Sequence, residues 1–206
     1  MKFFLILIST LTLTGFVNAQ SSKRKPTKVK PIKVTVTVKG NIPPPKPLPT
    51  EDADGIWTPF ELKEDNLKIL LPATRDDVMD DVVGDVRSYQ ADTKRAKYLL
   101  VVRKLGVAVD NRNIENFLEN LIEKGFVNSS TKIIERRNLL YEGRPGRGVI
   151  SEERSIRSIS RIYILDGKLF AMSVIIPLKK YDSTFEKWIA KFFDSFRVEL
   201  KPVNSA

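Results

Sequence analysis

The chain has 206 residues, 35 Lys and Arg against 25 Asp and Glu, and neither a cysteine nor a histidine. Those two absences exclude disulfides, thiolate nucleophiles, a lipidated cysteine, the serine–histidine and cysteine–histidine nucleophile pairs and the common zinc ligand sets. The net charge of +10 is unevenly placed: Met1 to Thr50 hold nine basic residues and no acidic one, whereas Glu51 to Ala206 hold 26 basic and 25 acidic.

In chain order, residues 1–19 have the pattern of an export signal. Lys2 supplies a positive start, Phe3 to Phe16 are mostly apolar but shorter than the roughly 20 residues that span a bilayer, and Val17-Asn18-Ala19 is a small-residue cleavage pattern. The expectation is a periplasmic or extracellular protein beginning at Gln20. Retention of the segment would instead leave a membrane anchor.

Residues 20–55 read as a basic linker, mostly disordered. Lys23, Arg24, Lys25, Lys28, Lys30 and Lys33 lead it, Lys39 and Lys46 follow, and seven prolines lie among them. Like charges repel and prolines favour extended geometry, so this arm should be stiff and solvated. Inside it, Ile32-Lys33-Val34-Thr35-Val36-Thr37-Val38 alternates as a half-buried strand does. Such a stretch is a local extended segment, an edge strand of the following domain, or a strand that adds to a partner's sheet edge.

Residues 56–206 form one domain. Phe60 to Lys63 and Leu67 to Leu71 flank Glu64-Asp65-Asn66 as a hairpin ending at Pro72. Val82 to Gln90 and Tyr98 to Arg103 read as two further strands, the second nearly continuous in apolar residues and therefore central. Ile114, Phe117, Leu118, Leu121 and Ile122 line one face of a helix, capped by Asp110 or Asn111 and ended by Gly125.

Strands follow at Lys132 to Tyr141, Gly148 to Glu153, Arg157 to Leu165 and Lys168 to Ile176, the last two joined by a two-residue Asp166-Gly167 turn. Ser183-Thr184-Phe185-Glu186 has a capping-box pattern and opens a helix that buries Phe185, Trp188, Ile189, Phe192 and Phe193. Phe196 to Lys201 is the closing strand. Hairpins with two separated helices imply an α+β fold, an antiparallel sheet packed by two main helices.

Phe60 followed by Leu67-Lys68-Ile69-Leu70-Leu71-Pro72, the run Gly143-Arg144-Pro145-Gly146-Arg147-Gly148, the hairpin from Tyr163 to Phe170, and Phe193-Asp194-Ser195-Phe196 after a closing helix together resemble the PsbP-like family. That fold is shared with the Ran-binding Mog proteins and with bacterial envelope proteins such as DcrB. The resemblance runs from about Trp57 to Leu200. It implies a non-catalytic docking domain helped by an N-terminal extension, without implying a photosynthetic role.

Two local runs are candidate sites. Three glycines with Arg144 and Arg147 suggest backbone amides approaching an anion, although the spacing is neither a P-loop nor a dinucleotide fingerprint, and a tight turn between strands accounts for the run. Arg136, Arg137, Arg154, Arg157 and Arg161 would extend a basic face if their strands align; alternation more simply makes them the wet side of the sheet, partly neutralised by Glu135, Glu142, Glu152 and Glu153. Asp76, Asp77, Asp80, Asp81 and Asp85 supply hard oxygens suited to calcium, but not at EF-hand spacing.

The sequence thus points to an exported, non-catalytic binding or assembly module of the bacterial cell envelope, without cofactor, metal or nucleic acid. Its expected partner is an envelope protein or anionic surface, with peripheral membrane contact through the arm. The alternatives are a calcium-dependent or carboxylate-based enzyme and an assembly factor anchored by an uncleaved signal.

Overall fold

The computed structural model describes residues 51–52, 55–73, 77–106, 113–125 and 130–200. The expected export signal, the arm's basic residues, the strand expected at 32–38, Asp76 and the expected caps Asp110 and Asn111 lie outside the described residues. Within them the chain is an α+β fold, a multi-stranded antiparallel sheet packed by two main helices.

Strands β1 (Glu51–Asp52) and β2 (Gly55–Ile56) pair with each other across the expected linker boundary. Strands β3 (Thr58–Leu62) and β4 (Leu67–Leu71) form the first expected hairpin, with Asn66 at φ 51° closing the short helical turn between them. The single strand expected at Val82 to Gln90 is instead two. Strand β5 (Met79–Val83) turns at Gly84-Asp85 into β6 (Val86–Asp92), and Gly84 takes the positive φ of 62° that a two-residue hairpin with glycine first requires.

Strand β7 (Lys97–Lys104) is central, as its apolar run predicts. Tyr98, Leu100 and Val102 face the main core, and Leu99 and Val101 are buried on the other side. Helix α1 (Ile114–Gly125) then carries the chain to the far edge of the sheet. From there β8 (Thr131–Tyr141), β9 (Arg144–Glu153), β10 (Ile156–Leu165) and β11 (Lys168–Pro177) meander back until β11 pairs with β7. The resulting seven-stranded order is β5-β6-β7-β11-β10-β9-β8.

Asp166-Gly167 is the two-residue turn expected, both residues with positive φ (49° and 75°). Glu142-Gly143 repeats it between β8 and β9, at 48° and 79°. Of the glycine-rich run only Gly143 belongs to the turn: Arg144 to Gly148 lie inside β9, Arg144 and Pro145 paired with β8 alone and Gly146 to Gly148 with both β8 and β10. Gly146 is required there because the Tyr163 ring lies directly on it, and a Cβ would overlap that ring and the Ile162 carbonyl.

Helix α2 (Glu186–Asp194) buries Trp188, Ile189, Phe192 and Phe193, with Phe185 buried just ahead of it. Its start differs from the capping box. Asp182, one residue before Ser183, accepts from the Phe185 N–H at 3.1 Å and opens a short 3-10 turn, Ser183–Phe185, that leads into the helix. The closing strand is shorter than expected: β12 (Arg197–Val198) joins β4 and β3 in a second sheet.

The main core lies between this three-stranded sheet, α2 and one face of the large sheet; a smaller one lies between α1 and the opposite face. Full burial of a phenylalanine such as Phe185 or Phe192 contributes about 1.5–3 kcal/mol. Two hydroxyls fasten the C-terminal pieces. Ser195 Oγ accepts from the Leu70 N–H at 2.9 Å, and Tyr141 Oη accepts from the Val198 N–H at 2.7 Å.

Candidate functional site

The arginines singled out in the sequence separate onto opposite faces of the sheet. Arg147 and Val149 of β9 point to α1, and so does Arg136 of β8, which lies opposite Val149. A bulge between Ile133 and Glu135 makes this happen. It shifts the phase of β8, so that Ile133 and Arg136, three residues apart, share one face.

There Arg147 Nε donates to Glu119 at 2.6 Å, and its Nη2 lies 3.5 Å from Glu115. Arg136 reaches Glu119 at 3.3 Å and Glu123 at 2.5 Å. Glu115, Glu119 and Glu123 sit four residues apart on α1, one above another. Arg147 is only 4% exposed, so its guanidinium faces helix carboxylates and not solvent. The group ties α1 to the sheet.

Arg137 and Arg144 lie on the other face. Arg137 Nη2 donates to Glu135 at 2.8 Å; this hydrogen bonding holds the Glu135 carboxyl below the usual range and raises the Arg137 guanidinium. Arg144 pairs with Asp166 of the β10–β11 turn. The amides of Gly146 and Gly148 belong to a strand flanked on both sides, which is not the geometry of a phosphate cradle.

The acidic run is likewise divided. Asp80 and Asp81 are successive in β5 and so point to opposite faces, and Asp85 accepts from Arg103 Nε at 2.8 Å. No three carboxylates gather as a metal-ion cage among the described residues. A cleft of about 100 Å³ lies nearby, lined by Asp65, Gly84, Asp85, Arg87, Val102 and Lys104. Asp65, 3% exposed, holds Lys168 Nζ at 2.8 Å.

Reading the sequence missed a rim of cations on aromatic faces around α2. Arg95 lies 4.7 Å from the Phe185 ring centre and pairs with Asp182 at 2.8 Å; Arg157 lies 4.5 Å from Tyr181 and bonds Glu152 at 2.9 Å. Arg161 lies 4.7 Å from Phe193 and bonds Asp194 at 3.1 Å, while Lys191 sits 4.8 Å from Trp57 and Lys187 4.3 Å from Trp188. Such contacts contribute about 0.5–1 kcal/mol each at exposed positions. The helix's aromatic stripe was visible in the sequence, but only the topology brings Arg161 of β10 and Arg95 of the β6–β7 turn over it.

The Thr184 hydroxyl, followed by Arg95 and the Phe185 N–H, holds the Asp182 carboxyl below its ordinary range. Burial pushes the Tyr163 and Tyr141 hydroxyls up. Chemically the rim is a charged, hydrogen-bonding surface over an aromatic floor.

No family model and no curated protein matches the chain. Solved structures do. The cyanobacterial PsbP (CyanoP) from Synechocystis sp. PCC 6803 is similar at 10% identity over 69% of this chain and 92% of that one, with a TM-score of 0.49. The Saccharomyces cerevisiae Ran-binding protein Mog1p is similar at 9% identity over 69% and 95%, TM-score 0.42. A Pseudomonas aeruginosa protein of unknown function, described as a putative regulator, is similar at 13% identity over 71% and 99%, TM-score 0.39. The likeness is a distant one of α+β fold and assigns no family.

Proposed function

We propose that this chain is an exported, non-catalytic binding or assembly module of the bacterial cell envelope, in which a cationic arm supplies attraction and the folded domain supplies selective contacts. The segregation of charge carries this reading: nine basic and no acidic residues up to Thr50, then 26 against 25. An arm of that kind draws a protein to an anionic surface at long range and with little specificity. The domain's arginines support the division, since Arg136, Arg137, Arg144 and Arg147 each face a carboxylate of the same molecule. Their charge is spent on the fold.

Fractionation with intact-mass measurement tests export. The reading expects a chain beginning at Gln20 in the periplasm or medium; a chain beginning at Met1 in the cytosol would overturn it.

A further inference from the structure

One end of the large sheet gathers three connections: the β6–β7 turn at residues 93–96, the β9–β10 turn at Arg154-Ser155, and the segment Leu178–Lys180 that leaves β11. Hydrogen bonds join them. The Ser155 carbonyl accepts from the Leu178 N–H at 2.8 Å, the Lys180 carbonyl accepts from Arg95 Nη2 at 3.0 Å, and Lys180 Nζ donates to the Lys94 carbonyl.

Residues 92–97, 152–157 and 177–182 together hold seven basic and four acidic side chains. The four carboxylates are engaged within the domain: Asp92 holds Lys97 at 2.7 Å, Glu152 holds Arg157, Asp182 holds Arg95 at 2.8 Å, and Glu153 accepts from the Ser130 hydroxyl at 2.7 Å. Four cations are left over. Lys94, Arg154, Lys179 and Lys180 are exposed and pair with no carboxylate among the described residues. Among them stands Ile156, 47% exposed, two residues from Arg154 and opposite Pro177 across β10 and β11.

That combination selects a partner. Cations alone would attract any polyanion, but an exposed isoleucine beside them fits a layer in which phosphates overlie hydrocarbon. The basic segment before Thr50 has the wrong sign to cover this end. We propose that this end of the domain is a contact surface for anionic phospholipid headgroups, with Lys94, Arg154, Lys179 and Lys180 meeting phosphates and Ile156 meeting the acyl boundary. The proposal rests on the reading of a protein drawn to an anionic surface and gives that reading a site on the folded domain.

Co-sedimentation of the whole protein with vesicles of phosphatidylglycerol and phosphatidylcholine, and of phosphatidylcholine alone, tests it. Two variants remove equal charge from opposite ends: Lys94→Gln/Lys179→Gln from the proposed surface, and Lys63→Gln/Lys104→Gln from the end where Lys168 meets Asp65. The first should weaken binding to the anionic vesicles roughly tenfold or more and the second roughly threefold or less. Ile156→Ser should weaken it by roughly threefold, and glycerophosphate at the same phosphate concentration should not displace the protein. Equal weakening by the two charge variants would overturn the proposal and leave the arm's attraction standing. Displacement by glycerophosphate with Ile156→Ser unaffected would overturn it in favour of a soluble phosphate ligand. Failure of the whole protein to prefer anionic vesicles would overturn both the proposal and the attraction on which it rests.

Discussion

Arg147 of β9 and Glu119 of α1 meet at 2.6 Å, with the arginine side chain 5% exposed and the glutamate 41%. Removing the glutamate leaves a buried guanidinium with the 3.5 Å contact to Glu115 and the Nη1 bond to the Gly146 carbonyl at 3.1 Å, while the half-exposure of the glutamate position lets water compensate in part. Glu119→Ala should therefore cost about 1–3 kcal/mol in urea unfolding. Because Glu119 also serves Arg136, a double-mutant cycle of Arg136→Ala with Glu119→Ala should show non-additive losses.

The Tyr163 ring leaves no room for a Cβ at Gly146, where one would overlap the ring's Cδ1. Gly146→Ala should destabilise by about 1–3 kcal/mol through overpacking. Added to Gly146→Ala, Tyr163→Leu should cost less than Tyr163→Leu costs alone, since the ring that clashes is then gone. Gly148→Ala, where a Cβ would meet Leu139 at an ordinary 3.4 Å, should be mild by comparison. Thermal midpoints of the four variants provide the check.

Arg154 holds a φ of 55° in the turn between β9 and β10 without glycine's freedom. Left-handed backbone costs an ordinary residue about 1–2 kcal/mol, partly offset by the larger entropy that glycine loses on folding. Arg154→Gly should accordingly raise stability by about 0.5 kcal/mol, seen as a higher urea midpoint at unchanged slope.

Asp182 opens the turn into α2 in its charged form, favoured chiefly by Thr184 and then by Arg95. Its folded pKa lies below the unfolded value, so its stabilisation is present above the ordinary carboxylate range and is lost as pH falls through the lowered value. Asp182→Asn retains a capping oxygen but not the charge. Its stability should fall less steeply than the parent's below about pH 4, measured as denaturant midpoints across an acid series.

How much of this was legible depended on the range of the interactions involved. The α1 stripe from Ile114 to Ile122 and the Asp166-Gly167 turn were readable because periodicity and turn chemistry are local. The Gly84-Asp85 turn was hidden because Val82 to Gln90 also reads as one extended run. Gly146 looked like loop chemistry because its reason, the Tyr163 ring, is 17 positions away. Asp182 outcompeted Ser183 as the cap by one residue, a margin at which helix starts are poorly determined. The two faces of arginines were the least readable feature, since a single bulged residue in β8 decides which way Arg136 points.

The division between an attracting arm and a charge-balanced domain is tested most directly by measuring retention on native envelopes across a salt series, for the whole protein and for a chain lacking Gln20 to Pro49. The account expects the whole protein to be released at moderate ionic strength, where attraction at distances near 8 Å is screened, and the shortened chain to be retained weakly at any salt. Equal, salt-insensitive retention of both chains would contradict it.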